Sequence, residues 1–127
     1  KALPLLARGS SIVFVSSAGA RTLVSTTYGA LGTGKALAEA IIRYLVPELA
    51  PKGIRVNAVA PGLVHTTSVA RMVGSEEGAA KLVERAARAN PSGRETCDSD
   101  YASVVKFLLS PEAEFVQGQV IAATGGV

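Results

Sequence analysis

The sequence has no tryptophan, and cysteine, histidine and methionine each occur once in its 127 residues. A single thiol, Cys97, excludes an intrachain disulfide and a cluster of thiolate metal ligands. It fits a reducing compartment, so a cytoplasmic location is expected, with no metal site. Three Phe and three Tyr leave the core to Val, Leu, Ile and Ala. The apolar runs are short and broken by Arg, Glu or Pro, so no membrane span is expected. The opening KALPLLARGS turns polar too soon for a secretory signal. It also lacks a starting Met and reads as the tail of a helix, which points to a longer parent chain. The formal charge is only +3, and the basic residues are scattered without interleaved aromatics. That argues against nucleic-acid binding, while a mild positive field suits an anionic cofactor or an acidic carrier.

What is present reads as a buried α/β core. The hydrophobic fraction is 48% and the charged fraction 18%, ordinary for one modest domain. Leu3 to Arg8 reads as the last turns of a helix ended by Gly9. SIVFVSS is apolar on both sides, as in an interior strand of a parallel sheet. From Tyr28 or Gly34 to Ala50, Leu37, Ile41, Leu45 and Leu49 recur every four residues, widened by Ile42 and Val46. This predicts an amphipathic helix with Glu39, Arg43 and Glu48 mostly off its buried stripe. Pro47 predicts a local kink or a water. IRVNAVAPG, 54–62, reads as a second buried strand. A weaker helical stretch covers 68–89 and breaks near Gly74. A helix capped by Asp98 or Ser99 runs from Asp100 to Leu109, with Val104, Val105, Leu108 and Leu109 inward. QVIAAT is the last strand. The order predicts a doubly wound, Rossmann-like parallel sheet. Three strands leave that sheet unfinished on one side, so the chain reads as the C-terminal part of such a domain, 1–127.

Ligands of open parallel sheets sit beyond the carboxyl ends of the strands. Ser16 and Ser17 end the first strand, and Asn57 with PGLVHT ends and follows the second. Tyr28 and Lys35 are seven positions apart, about two helical turns or ~10 Å. They read either as two groups facing one cleft or as a half-buried core Tyr and an exposed Lys. A ligand could bridge them, with the phenol donating a proton and the ammonium holding a ribose or lowering the phenol pKa. Gly29, Gly32 and Gly34 call for close backbone approach or an irregular helix entry. His65 has no acidic or thiol partner nearby in sequence and reads as a rim residue. Cys97 reads as a plain cysteine.

These stretches carry a resemblance. SIVFVSS, KALAEAIIRYLVPELAPKGIRVNAVAPG and the closing GQVIAATGG together resemble the second half of a short-chain dehydrogenase/reductase. The family's usual tyrosine precedes its lysine by four positions, where Leu31 stands here. YGALGTGK instead resembles the enoyl-acyl-carrier-protein reductase branch, with seven. The resemblance implies reduction of the trans-2 double bond of an enoyl thioester by NADH or NADPH, as in fatty acid biosynthesis. The acyl group would ride on an acyl carrier protein or CoA.

It further implies Tyr28 at the enolate oxygen and Lys35 at the nicotinamide ribose. Ser17 falls at the active-site serine of carbonyl-reducing members. Ser16, Pro61, Gly62, Val64 and Thr66 fall on the cofactor side, and Asn57 there braces the neighbouring strand ends. It also implies a substrate-covering lid over 67–90, mobile for want of strong caps, and a homodimer or homotetramer built on the long helix. Three features depart from the branch: no earlier tyrosine in AGARTLVSTT, Thr124 where an acid usually stands, and no glycine-rich nucleotide turn. Carbonyl reduction, favoured by Ser17, and a non-catalytic partner subunit are the alternatives.

Overall fold

Ile12, Val13 and Phe14 lie in the first strand of the computed structural model, which describes residues 3–127. Strand β1 is Ser11–Val15, β2 Arg55–Pro61 and β3 Val120–Ala123. They form one parallel sheet in the order β1-β2-β3. Helix α1, Gly29–Leu49, crosses from β1 to β2. Two helices, α2 at Thr67–Val73 and α3 at Glu76–Ala89, follow β2, and α4, Asp98–Leu109, precedes β3.

The two faces of β2 explain the doubly wound reading. Ile54, Val56 and Ala58 form a core with Ile42 and Leu49 of α1. Strand side chains alternate between faces, so Arg55 points the other way, toward α4. There its buried guanidinium donates to the carbonyls of Leu108, Ser110 and Ala113. The first two lie at the end of α4, where carbonyls lack helical partners, and the third in the turn that follows; a cation there also complements the helix dipole. Ser11 Oγ donates to Leu108 O as well. A buried cation thus docks α4 on the sheet.

Several expectations need correction. Leu3–Leu5 is a single 3-10 turn, not the end of an α-helix. Among the described residues β1 has one neighbour, β2, and Val15 is 45% exposed, so the sheet is open on the β1 side, where the unfinished edge was expected. On α1, Leu37 and Ile41 are exposed while Glu39 is buried, the reverse of the periodic reading. Glu39 is inward because polar partners wait for it at the end of β1. Leu109 is also exposed; Leu108 is the buried residue of α4.

The cap of α4 is Cys97, because Asp100 reaches back to accept from the Cys97 N–H at 2.9 Å. Both helices of 67–90 are capped, α2 by Thr66 and α3 by Ser75, so the expected lack of caps does not hold. Gly74, at φ +86°, separates them where the sequence put the break.

Of the three glycines that open α1, only Gly32 is crowded. A Cβ there would lie 2.5 Å from the Gly19 carbonyl oxygen, while Gly29 and Gly34 face open space. Gly32→Ala is therefore expected to destabilise the protein by about 1–3 kcal/mol. Gly34→Ala is expected to stabilise it by about 0.5–1 kcal/mol, since helix propensity acts alone there. Chemical denaturation of both variants checks the opposite signs.

Candidate active site

The end of β1 and the start of α1 meet through a 3-10 turn rather than along one helix. Tyr28 closes the turn Thr26–Tyr28 and stands just before α1, so it is not on the regular helix that the seven-residue spacing implied. The turn starts at Ser25, whose hydroxyl accepts from Thr27 N–H. From there the half-buried Tyr28 ring lies over Gly19. A Cβ at Gly19 would sit 2.4 Å from the ring, so this glycine admits the tyrosine. The Tyr28 hydroxyl donates to Ser17 Oγ at 3.0 Å. Ser17 Oγ also accepts from Gly19 N–H at 3.2 Å, which leaves the Ser17 proton free to donate outward.

Lys35 is held at the same strand end. Its ammonium donates to the Val15 carbonyl at 2.7 Å and lies 4.8 Å from the Phe14 ring centroid. An ammonium has three donors, so two remain for a ligand. The structure thus brings Tyr28, Ser17 and Lys35 to the carboxyl end of β1. Beside Tyr28 runs a cleft of about 130 Å³, lined in part by Gly19, Leu23, Val24 and Thr33.

Ser16 and Asn57 do not face this opening. Ser16 is buried, and its hydroxyl donates to Glu39 Oε1 at 2.5 Å. Asn57 is fully buried near the amino end of β2. Its amide donates to Val116 O at 2.8 Å and its Oδ1 accepts from Gln119 N–H at 2.9 Å. Both side chains are buried and turned to these protein partners, away from the opening. Asn57 does brace strand ends, by tying β2 to the turn before β3.

Pro61, Gly62, Val64 and Thr66 line the path out of β2. Gly62 N–H donates to Ala123 O, and Thr96 packs so close to Gly62 that a side chain there would collide with its hydroxyl. Among the described residues the Val64 N–H has no hydrogen-bond partner, and Thr66 Oγ1 accepts from Val69 N–H. A dinucleotide's nicotinamide end fits these groups. Two free ammonium donors, the free Ser17 hydroxyl proton beside the Tyr28 hydroxyl and an open backbone N–H lie at or just beyond the carboxyl ends of adjacent parallel strands.

Sequence reasoning missed two pairings. His65 Nε2 lies 3.4 Å from Glu76 Oε2, so the loop after β2 runs beside the first turn of α3. Glu39 accepts from Ser16 and, at 3.1 Å, from Arg21 Nε. The hydroxyl-rich strand end of SIVFVSS was the one signal that pointed to a polar partner on α1.

A second cavity, about 210 Å³, lies at the carboxyl end of β3 among Asn90, Thr96, Arg94 and Asp100. Its charges satisfy one another. Arg94 bonds both Asp100 oxygens at 2.7 Å. That pair, helped by the Cys97 N–H, holds the Asp100 carboxyl well below its usual range, and Asp100 in turn holds the Arg94 guanidinium above its own.

With this geometry in view, the comparisons identify the class. The family model described as "Enoyl-(Acyl carrier protein) reductase" matches residues 1–127. The chain belongs to this family of short-chain dehydrogenase/reductases. It is 43% identical to an uncharacterized oxidoreductase of Methylorubrum extorquens, covering 96% of this chain and 48% of that protein. It is 35% identical to Dehydrogenase OXI1 of Cochliobolus heterostrophus, covering 98% and 53%. The crystal structure of enoyl-[acyl-carrier-protein] reductase (NADH) from Aquifex aeolicus superposes with a TM-score of 0.84 at 32% identity, covering 98% of this chain and 46% of that one. The chain spans about half the length of the relatives it matches.

The lowered Asp100 carboxyl has a pH consequence. A folded-state pKa below the unfolded value of ~4 contributes stability that is present above that value. It is lost as pH falls through the folded pKa. Asp100→Asn is therefore expected to lower Tm at neutral pH and to flatten its fall below about pH 4. Thermal melts of both proteins from neutral to acid pH check this.

Proposed function

We propose that this protein, in its complete form, reduces the trans-2 double bond of an enoyl thioester with NADH or NADPH. The observation that supports this most is Tyr28, seven residues before Lys35, with its hydroxyl at the end of β1. A bound reduced nicotinamide would supply the hydride for C3 of the enoyl group, and a proton taken up from solvent at C2 completes the reduction. As negative charge develops on the thioester oxygen, the Tyr28 O–H turns from Ser17 to that oxygen and stabilises it. Lys35 stays tied to the Val15 carbonyl and offers its two other N–H donors to the ribose. The open N–H of Val64 and the Thr66 hydroxyl meet the carboxamide and pyrophosphate side, with Pro61 and Gly62 shaping the path. The α2–α3 segment covers the acyl chain, and the exposed Leu37, Ile41 and Tyr44 on α1 serve as a pairing face for a homodimer or homotetramer. The expected setting is cytoplasmic, with the acyl group on an acyl carrier protein or CoA.

One observation favours a second reading. The Tyr28–Ser17 hydrogen bond sets two hydroxyls side by side, and such a pair suits a carbonyl oxygen equally well. Reduction of a 3-oxoacyl thioester or another ketone is the alternative, and a relative named as a dehydrogenase is consistent with it.

Nicotinamide oxidation by the complete protein with a trans-2-enoyl and a 3-oxoacyl thioester separates the two. Enoyl turnover that falls at least ~100-fold in Tyr28→Phe is expected. Turnover on the 3-oxo substrate alone would replace the enoyl reading with the carbonyl one.

A further inference from the structure

Three consecutive residues, the last of β1 and the two after it, are each gripped by a different side chain, one from the turn before α1 and two from α1 itself. Lys35 takes the Val15 carbonyl, Glu39 takes the Ser16 hydroxyl and Tyr28 takes the Ser17 hydroxyl. Lys35 and Glu39 are four apart, so they lie on the same face of α1. The Glu39 side chain is only 6% exposed, and both of its oxygens are used. Oε1 accepts from Ser16, and Oε2 accepts from Arg21 Nε in the loop that carries Gly19 beneath the tyrosine ring. The carboxylate therefore fastens both ends of the Ser16–Arg21 segment to one point on the helix. It touches neither Tyr28 nor Ser17.

A buried carboxylate is costly to desolvate. An apolar residue would have continued the helix stripe and packed the sheet. The hydroxyl and guanidinium partners repay the desolvation only in one loop geometry, and in that geometry Ser17 Oγ meets the Tyr28 hydroxyl. We propose that Glu39 is a positioning residue, which through Ser16 and Arg21 holds the β1–α1 loop so that the Tyr28–Ser17 hydroxyl pair is preformed. This rests on the reductase reading for its effect on turnover, but the latch itself does not.

The test uses the complete protein and two readouts. One is turnover on the thioester substrates. The other is the ring-carbon NMR signal of Tyr28 in protein labelled at tyrosine Cζ, assigned by its loss in Tyr28→Phe. Glu39→Gln keeps an acceptor for Ser16 but turns an N–H against Arg21. It is expected to shift the Tyr28 signal and to lower kcat about 10- to 100-fold, as a small misplacement of a reacting group does. KM for the nicotinamide should stay nearly constant. Adding Arg21→Glu restores an acceptor as many bonds from Cα as the Arg21 Nε it replaces. This double variant is expected to return the signal and most of kcat.

A folded Glu39→Gln protein with unmoved Tyr28 signal and unchanged kcat overturns the proposal. So does a kcat loss that the double variant leaves unrepaired while the Tyr28 signal never moves. If the wild-type protein turns over neither substrate, the reductase reading fails, and the Tyr28 signal alone decides for or against the latch. Should Glu39→Gln fail to fold, Ser16→Ala must produce the same displaced signal, and an unmoved signal there overturns the latch.

Discussion

Helix α1 lies against the turn that follows β1 at a distance only glycine permits. A side chain at Gly32 would press into the Gly19 carbonyl, and one at Gly19 would press into Tyr28. Because the backbones come this close, short reaches suffice for everything nearby. Lys35 arrives at the Val15 carbonyl, Glu39 at Ser16, and the tyrosine hydroxyl at Ser17. If α1 stood farther off, these contacts would need water or longer side chains. The site is therefore a property of one helix–strand junction and not of any single residue.

The rest of the fold keeps that junction in place from behind. β2 is buried along most of its length, and it pairs with β1 on one side and β3 on the other. Polar residues on it are engaged in holding neighbours. Arg55 collects the terminal carbonyls of α4, and Asn57 holds the turn that launches β3. Buried polar groups of this kind are tolerated because each has hydrogen-bond partners within the protein. Their burial also separates them from chemistry, since they are turned to those partners. The groups still free to donate collect at the carboxyl ends of the strands, as in other open parallel sheets.

The tyrosine–serine pair carries the functional question. A phenol donating to a serine hydroxyl leaves the serine proton free, and the phenol proton can turn to the same incoming oxygen, which serves an enolate or a ketone alike. The spacing of Tyr28 from Lys35 supports the proposed enoyl reading, and the neighbouring Ser17 hydroxyl supports the carbonyl one. The two features coexist because the 3-10 turn at Thr26–Tyr28 delivers a more distant tyrosine to the same serine.

Strand and helix identity were legible along the chain because they depend on period and punctuation. SIVFV, RVNAVAP and VIAA are strands, the break at Gly74 is real, and parallel pairing follows from helices of crossover length. Tyr28, Lys35 and Ser17 were legible as candidates from residue type and spacing. Which polar residues would be buried was not. Glu39 finds its partners 23 and 18 positions away, Asn57 finds Val116 59 away, and His65 meets Glu76 from another helix. A period of four counts Glu39 as solvent-facing, since periodicity describes one helix against an apolar surface. Only the packed structure sets a hydroxyl and a guanidinium opposite it. The sequence by itself determined the elements and the chemical groups available. The tertiary structure decided which of those groups meet, because burial and hydrogen bonding are settled between segments that the chain keeps far apart.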